Sequence, residues 1–237
     1  MANRTSPLKS AVRKGTEFEQ RSLSILQNCL SMSLSRIGGR SDGGIDLQGW
    51  WWLPSLAFTH AACDSLFAPT GFDDGLRRRI RVLAQCKATQ KKMGPNFVRE
   101  MEGVLYQYSN QCPVLGKDAS FAPGPSQSGT TLPSPHSGDP KIPTVAMLIS
   151  QSSFTKSAIL RAMSSSVPFF LLHLPEHGPG GDADINPVGS AIWNRSLYGE
   201  DGLLGGQVEV RWERRLCGSG KPRLWWKDKP LQSWVPA

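Results

Sequence analysis

Gln85 and Lys87 stand two residues apart in the run Arg79–Ala88 (RIRVLAQCKA), whose alternating polar and apolar residues predict a β-strand. Successive side chains of a strand point to opposite faces, so Gln85 and Lys87 share one face and Cys86 packs on the other. Asp46 follows the turn-forming Ser41-Asp42-Gly43-Gly44 in a second expected strand, Ile45–Trp52. If the two strands pair as a hairpin, its carboxylate falls beside Gln85 and Lys87. An acid, an amide and an amine at one point suit metal-assisted hydrolysis of a phosphodiester. A hard cation such as Mg²⁺ takes oxygen ligands, here Asp46 as anchor and the Gln85 carbonyl. It polarises the phosphate and lowers the pKa of an attacking water, which Lys87 orients or whose developing charge it offsets. Glu19, on the preceding helix, reaches the metal through water.

Each of these residues also has a plainer role. Glu19 fits a solvated helix position paired with Arg21 or Lys14, Asp46 a turn cap, and Lys87 a charge protecting a sheet edge. Trp50-Trp51-Trp52 fits core packing better than base stacking. His60, His136, His173 and His177 have no metal-ligand spacing, and His173, inside an apolar strand, fits the core.

The elements that must position these groups follow from periodicity. Phe18, Leu23, Ile25, Leu26 and Leu30 mark an amphipathic helix from Thr16, followed by a strand-like piece ending at Gly38-Gly39. Residues 54–75 form an insertion between the two strands. Gly94-Pro95 opens a helix carrying Phe97, Val98, Met101, Val104 and Leu105. Residues 112–143, rich in Pro, Ser and Gly, form a flexible loop. Strand Thr144–Ile149, a helix with Ser153 as N-cap and Phe154, Ala158, Ile159, Ala162 and Met163 at helical spacing, and strand Val167–Leu174 make a βαβ unit with parallel, buried strands. Beyond it, Gln207–Glu213 and Arg223–Trp226 flank Cys217-Gly-Ser-Gly220 as a hairpin. The division expected is a basic segment 1–14, a domain 15–176 and a C-terminal extension 177–237. The fold class is α/β, a mixed central sheet flanked by helices, with long loop insertions.

A chain of 237 residues with a formal charge of +8 favours polyanionic partners, nucleic acid ahead of an anionic membrane. Between Gly75 and Arg99 stand Arg77, Arg78, Arg79, Arg81, Lys87, Lys91, Lys92 and Arg99, with no acid. Arg77, Arg78, Arg79, Lys91, Lys92 and Arg99 are the candidates for nucleic-acid contact. Five cysteines without CxxC spacing exclude a zinc ribbon and a disulfide framework. The longest apolar run, Val167–Leu174, is too short for a transmembrane segment. Arg4, Lys9, Arg13 and Lys14, free of acids, match a mitochondrial transit peptide and an ordinary basic tail equally.

The strings Gly15-Thr16-Glu17-Phe18-Glu19, Gly43-Gly44-Ile45-Asp46-Leu47 and Gln85-Cys86-Lys87-Ala88 resemble the Mrr-like branch of the restriction-endonuclease (PD-(D/E)xK) superfamily. GGIDLQGWWWLP, VLAQCKA, GPNFVREMEGV and FTKSAILRAMSSSVPFFLLHL are similar, more narrowly, to the fungal Required for respiratory growth protein 7 family, which is mitochondrial. The resemblance covers about Gly15–Leu174. It implies a restriction-endonuclease-like core with Asp46, Gln85, Lys87 and Glu19 at the family's motif positions, Mg²⁺ as cofactor and DNA ahead of RNA as substrate. Gln85 stands where the wider superfamily more often has an acid, so metal binding is weaker. The implied function is a mitochondrial metal-dependent nuclease needed for respiratory growth. The alternative is an inactive nuclease fold retained as a nucleic-acid-binding or assembly factor in mitochondrial gene expression.

Overall fold

The structure, a computed structural model, describes residues 11–37, 44–55, 77–110, 142–176, 188–214 and 220–236. Helix α1 (Ala11–Leu30) turns Phe18, Ser22, Ile25, Leu26 and Leu30 inward, a stripe at i, i+4, i+7, i+8 and i+12 that follows the 3.6-residue period of a helix. It begins at Ala11 rather than Thr16, so Arg13 and Lys14 are helical and Arg13 pairs with Glu17 one turn on. Its end is set by tertiary contacts. Ser31 takes a left-handed φ of 56°, held where its N–H donates to Ser233 Oγ (2.9 Å) and its Oγ accepts from Trp234 N (3.1 Å).

Strands β1 (Met32–Arg36), β2 (Leu47–Pro54) and β3 (Arg77–Lys87) form an antiparallel meander. Helix α2 (Pro95–Asn110) leads to β4 (Thr144–Ser150), parallel to β3. Helix α3 (Lys156–Met163) then leads to β5 (Phe169–His173), parallel to β4. A strand not anticipated, β6 (Ser190–Trp193), pairs antiparallel with β5 and completes a six-stranded mixed sheet in the order β1 to β6. The expected parallel βαβ unit is present, although the cap of its helix is Thr155, whose side chain accepts from Ala158 N, rather than Ser153.

The sheet is covered on both faces, which is why β4 reads as an unbroken apolar run. On one face α1 buries Leu26 and Leu30 against Trp51, Ile80, Met147 and Phe170. On the other, α2 and α3 bury Val98, Met101 and Ala158 against Leu83, Leu148 and Phe169. Trp51, Phe170 and Trp193 meet at centroid separations of 5.4–6.2 Å, so the middle tryptophan of the triple run is core.

After the short helix α4 (Arg195–Tyr198), β7 (Val208–Arg214), β8 (Gly220–Trp226) and β9 (Lys229–Pro230) form a three-stranded antiparallel sheet. The expected tail hairpin is present, with a third strand added. The boundary drawn at residue 176 does not match the packing. β6 belongs to the main sheet, and Val208, Leu224, Trp226 and Leu231 share one core with α1. The expectations for residues 1–10, 56–75, 112–141 and 177–187, and for His60, His136, His177, Cys63, Cys112 and Cys217, lie outside the described residues.

Candidate active site

Asp46 stands immediately before β2, which begins at Leu47. Gly44 before it turns the chain with φ +84°, a conformation L side chains rarely adopt. A Cβ at Gly44 would lie 2.8 Å from Glu100 Oε1, so the backbone also needs the space. The Asp46 N–H still bonds Ala84 O of β3 (2.9 Å). Beyond that, the ladder is continued by the side chain: Asp46 Oδ2 accepts from Cys86 N at 2.6 Å, a short charge-assisted bond. The carboxylate is thereby fixed on the backbone of the residue between Gln85 and Lys87.

Gln85 and Lys87 lie on the α2 face and Cys86 on the α1 face, as strand alternation requires. Gln85 is buried, 1% exposed. Its Nε2 donates to Glu100 Oε1 (3.1 Å), which orients the amide and leaves Oε1 buried without a hydrogen-bond partner among the described residues. Lys87 Nζ sits 5.6 Å from the centroid of the Phe97 ring. Next to it in register is Ser150 on β4, whose hydroxyl is also buried and without a partner among the described residues, and then His173 on β5. These are the C-terminal ends of the parallel strands, where open α/β sheets bind ligands.

Glu19 comes from α1 and is tied to Arg36 of β1 at 2.5 Å, not to Arg21 or Lys14. Arg21 donates instead to Pro175 O (2.7 Å). The Cys86 thiol senses the convergence of these groups. Burial pushes it well above its ordinary value of 9.0, and the negative charges of Asp46 and Glu19 push it further. A hydrogen bond from Ser22 and the charge of Lys87 oppose the rise. Cys86 is therefore an inert packing thiol.

Hard oxygen donors are present in Asp46 and the bare Gln85 carbonyl, and a buried carbonyl with nothing to accept fits an oxygen-seeking cation. Among the described residues no group of three or more His, Cys, Asp or Glu side chains is arranged to hold a metal ion.

The basic candidates divide into two sets. Lys91, Lys92 and Arg99 are exposed in the loop and helix turn after β3, beside the site, with Arg99 donating to Asn96 Oδ1 (3.1 Å). Arg77, Arg78 and Arg79 stand at the opposite end of β3, about 26 Å or more from Lys87 at 3.3 Å per residue. Arg78 turns inward to donate to Leu203 O (3.0 Å), and burial lowers its pKa; Arg77 and Arg79 stack on tryptophans. Sequence reasoning brought neither the Glu100 contact nor Ser150 into the site. Helix residue and strand terminus alike carry no local signal of their tertiary neighbours.

Residues 10–114 match the family described as Required for respiratory growth protein 7. The matched stretch runs from α1 through α2 and contains Glu19, Asp46, Gln85, Lys87 and Glu100. The chain is also similar to an uncharacterized mitochondrial protein of Schizosaccharomyces pombe, 34% identical over 123 residues, which is 52% of this chain. The chain thus spans about two fifths of that relative, 41% of its length. No solved structure matches.

Proposed function

We propose that this is a mitochondrial protein of the respiratory-growth type whose β2–β3 edge hydrolyses phosphodiester bonds of nucleic acid on a restriction-endonuclease-like core. The observation that carries the reading is the Asp46 carboxylate seated on the backbone N of Cys86, the residue that separates Gln85, with its bare carbonyl, from Lys87 in the strand. The family match and the mitochondrial relative support the setting. Asp46 and the Gln85 carbonyl would hold a divalent cation, which supplies phosphate polarisation and a water of lowered pKa. Glu100 keeps the Gln85 amide turned so that oxygen, not nitrogen, faces away from the helix. Lys87 contributes a cation to orient water or offset charge building on the phosphate. Lys91, Lys92 and Arg99 provide exposed charge for the backbone on the α2 side.

A second reading, a nucleic-acid-binding module without catalysis, is favoured by two contacts. Glu19 is engaged by Arg36 and the motif position after β2 carries an amide rather than an acid, so charge for the cation is sparse. The readings part on one experiment. Full-length protein with Mg²⁺ or Mn²⁺ is expected to cut plasmid DNA or single-stranded DNA or RNA, and Asp46→Ala and Lys87→Ala to lose about 100-fold or more of the rate while melting normally. Wild type and both variants equally inert, with binding retained, would favour the second reading.

A further inference from the structure

Among the described residues, α2 and α3 pack over the β3–β5 part of the sheet face opposite α1. Toward the β1–β2–β3 end it presents a row in which cations alternate with rings. Arg79 Cζ lies 4.6 Å from the Trp50 centroid, Arg77 Cζ 4.7 Å from Trp234 and Arg81 Cζ 5.4 Å from Tyr108, while Trp52 meets Trp234 edge-on at 5.8 Å. The pairs are built by register: Trp50 faces Arg81 and Trp52 faces Arg79 across the β2–β3 ladder, so Arg79 reaches Trp50 diagonally. Strands β1, β2 and β3 contain no Asp or Glu, and Arg79 and Arg81 have no carboxylate within ion-pair distance among the described residues. Arg79 is exposed.

We infer that this face is a binding platform for single-stranded nucleic acid, separate from the Asp46 site. A guanidinium held over an indole keeps N–H groups for a phosphate and adds a face for a base. Alternating cations and rings are what a strand with splayed bases needs: charge along the backbone and π-faces that tolerate any sequence. Duplex DNA is a poorer occupant, because reading its grooves takes a protruding helix or ribbon, and the described face is a flat strand surface. Charge complementarity selects a polyanion, and the rings select one with exposed bases over a lipid headgroup. The inference shares with the proposed function only the class of partner.

Binding of full-length protein to a fluorescein-labelled oligouridylate of about 20 nucleotides, long enough for one platform, tests it. EDTA is included so that the result does not depend on cleavage. Single strand is expected to bind at least tenfold more tightly than duplex of equal length. Arg79→Ala and Trp50→Leu are each expected to weaken single-strand binding about tenfold, and Arg79→Ala to reduce the slope of log K against log salt by about 0.7. Arg79→Lys separates the roles, restoring the slope but not the affinity. Single-strand affinity unchanged in Arg79→Ala and Trp50→Leu would overturn the inference. So would capture of wild type by phosphatidylcholine–phosphatidylserine vesicles with no single-strand binding at all.

Discussion

A buried amide with its nitrogen bonded and its oxygen bare is costly, about 1–3 kcal/mol for the unmet acceptor, and Gln85 is such a residue. That cost is reasonable where the acceptor serves a ligand, and in the function proposed above Asp46, a neighbour along the same ladder edge, would supply the charge for a cation. His173, two strands away in the same row, shows a different consequence of position. Burial lowers its imidazole below the ordinary 6.5, partly offset by a hydrogen bond with the Gln151 backbone. In the window below 6.5 the unfolded chain therefore binds a proton that the folded chain does not, so the neutral ring's contribution is present above that value and lost as pH falls. Thermal melting between about pH 7 and about pH 5 is expected to lose stability more steeply in wild type than in His173→Gln; parallel curves would contradict the assignment.

At the scale of elements, one side chain ties α3, β5 and α4 together. Asn194, 1% exposed, donates through Nδ2 to Ala162 O, Ser165 O and Val167 O, and accepts at Oδ1 from Phe169 N and Leu197 N. Asn194→Ala strands several buried backbone groups and removes the cap of α4, and is expected to destabilise the protein by about 2–4 kcal/mol in urea unfolding. A loss below about 0.5 kcal/mol, the range of an ordinary surface change, would show the hub to be dispensable. These elements differ in how plainly the sequence announced them. The alternation over Arg79–Ala88 and the unbroken apolar run of β4 gave strands, faces and the parallel pairing, because each reflects a burial pattern internal to the segment. β6 was illegible: four residues, Ser190 to Trp193, are too short to show a period, and only pairing with β5 makes them a strand. Arg36 and Glu100 were likewise hidden, since their partners Glu19 and Gln85 lie 17 and 15 residues away and meet them through the tertiary fold.

For the whole molecule, α1 is the element on which both sheets converge. Its inner face packs on the six-stranded sheet, and Leu224, Trp226 and Leu231 of the C-terminal sheet belong to the same apolar cluster. The tail also fixes the end of α1 through Ser233, which bonds both Ser31 N and Gln27 O. Truncation after residue 176 is therefore expected to remove β6 from the sheet edge and bare α1, giving insoluble protein or one without a cooperative melt. A soluble, cooperatively melting fragment would show instead that the C-terminal part is an independent appendage. The same view separates the two proposed surfaces. Lys87 and Arg77 stand at opposite ends of β3, so charge that looked like one basic block in sequence lies in two places.

Calorimetric titration of Mn²⁺ into the full-length protein and into Asp46→Asn asks whether Asp46 anchors a cation. Asparagine keeps the shape and the acceptor for Cys86 N but removes the charge, so the fold survives while the anchor ligand is lost. A single saturable site is expected in wild type and none in Asp46→Asn. Equal heats in the two proteins, or none in wild type, would contradict the anchoring role.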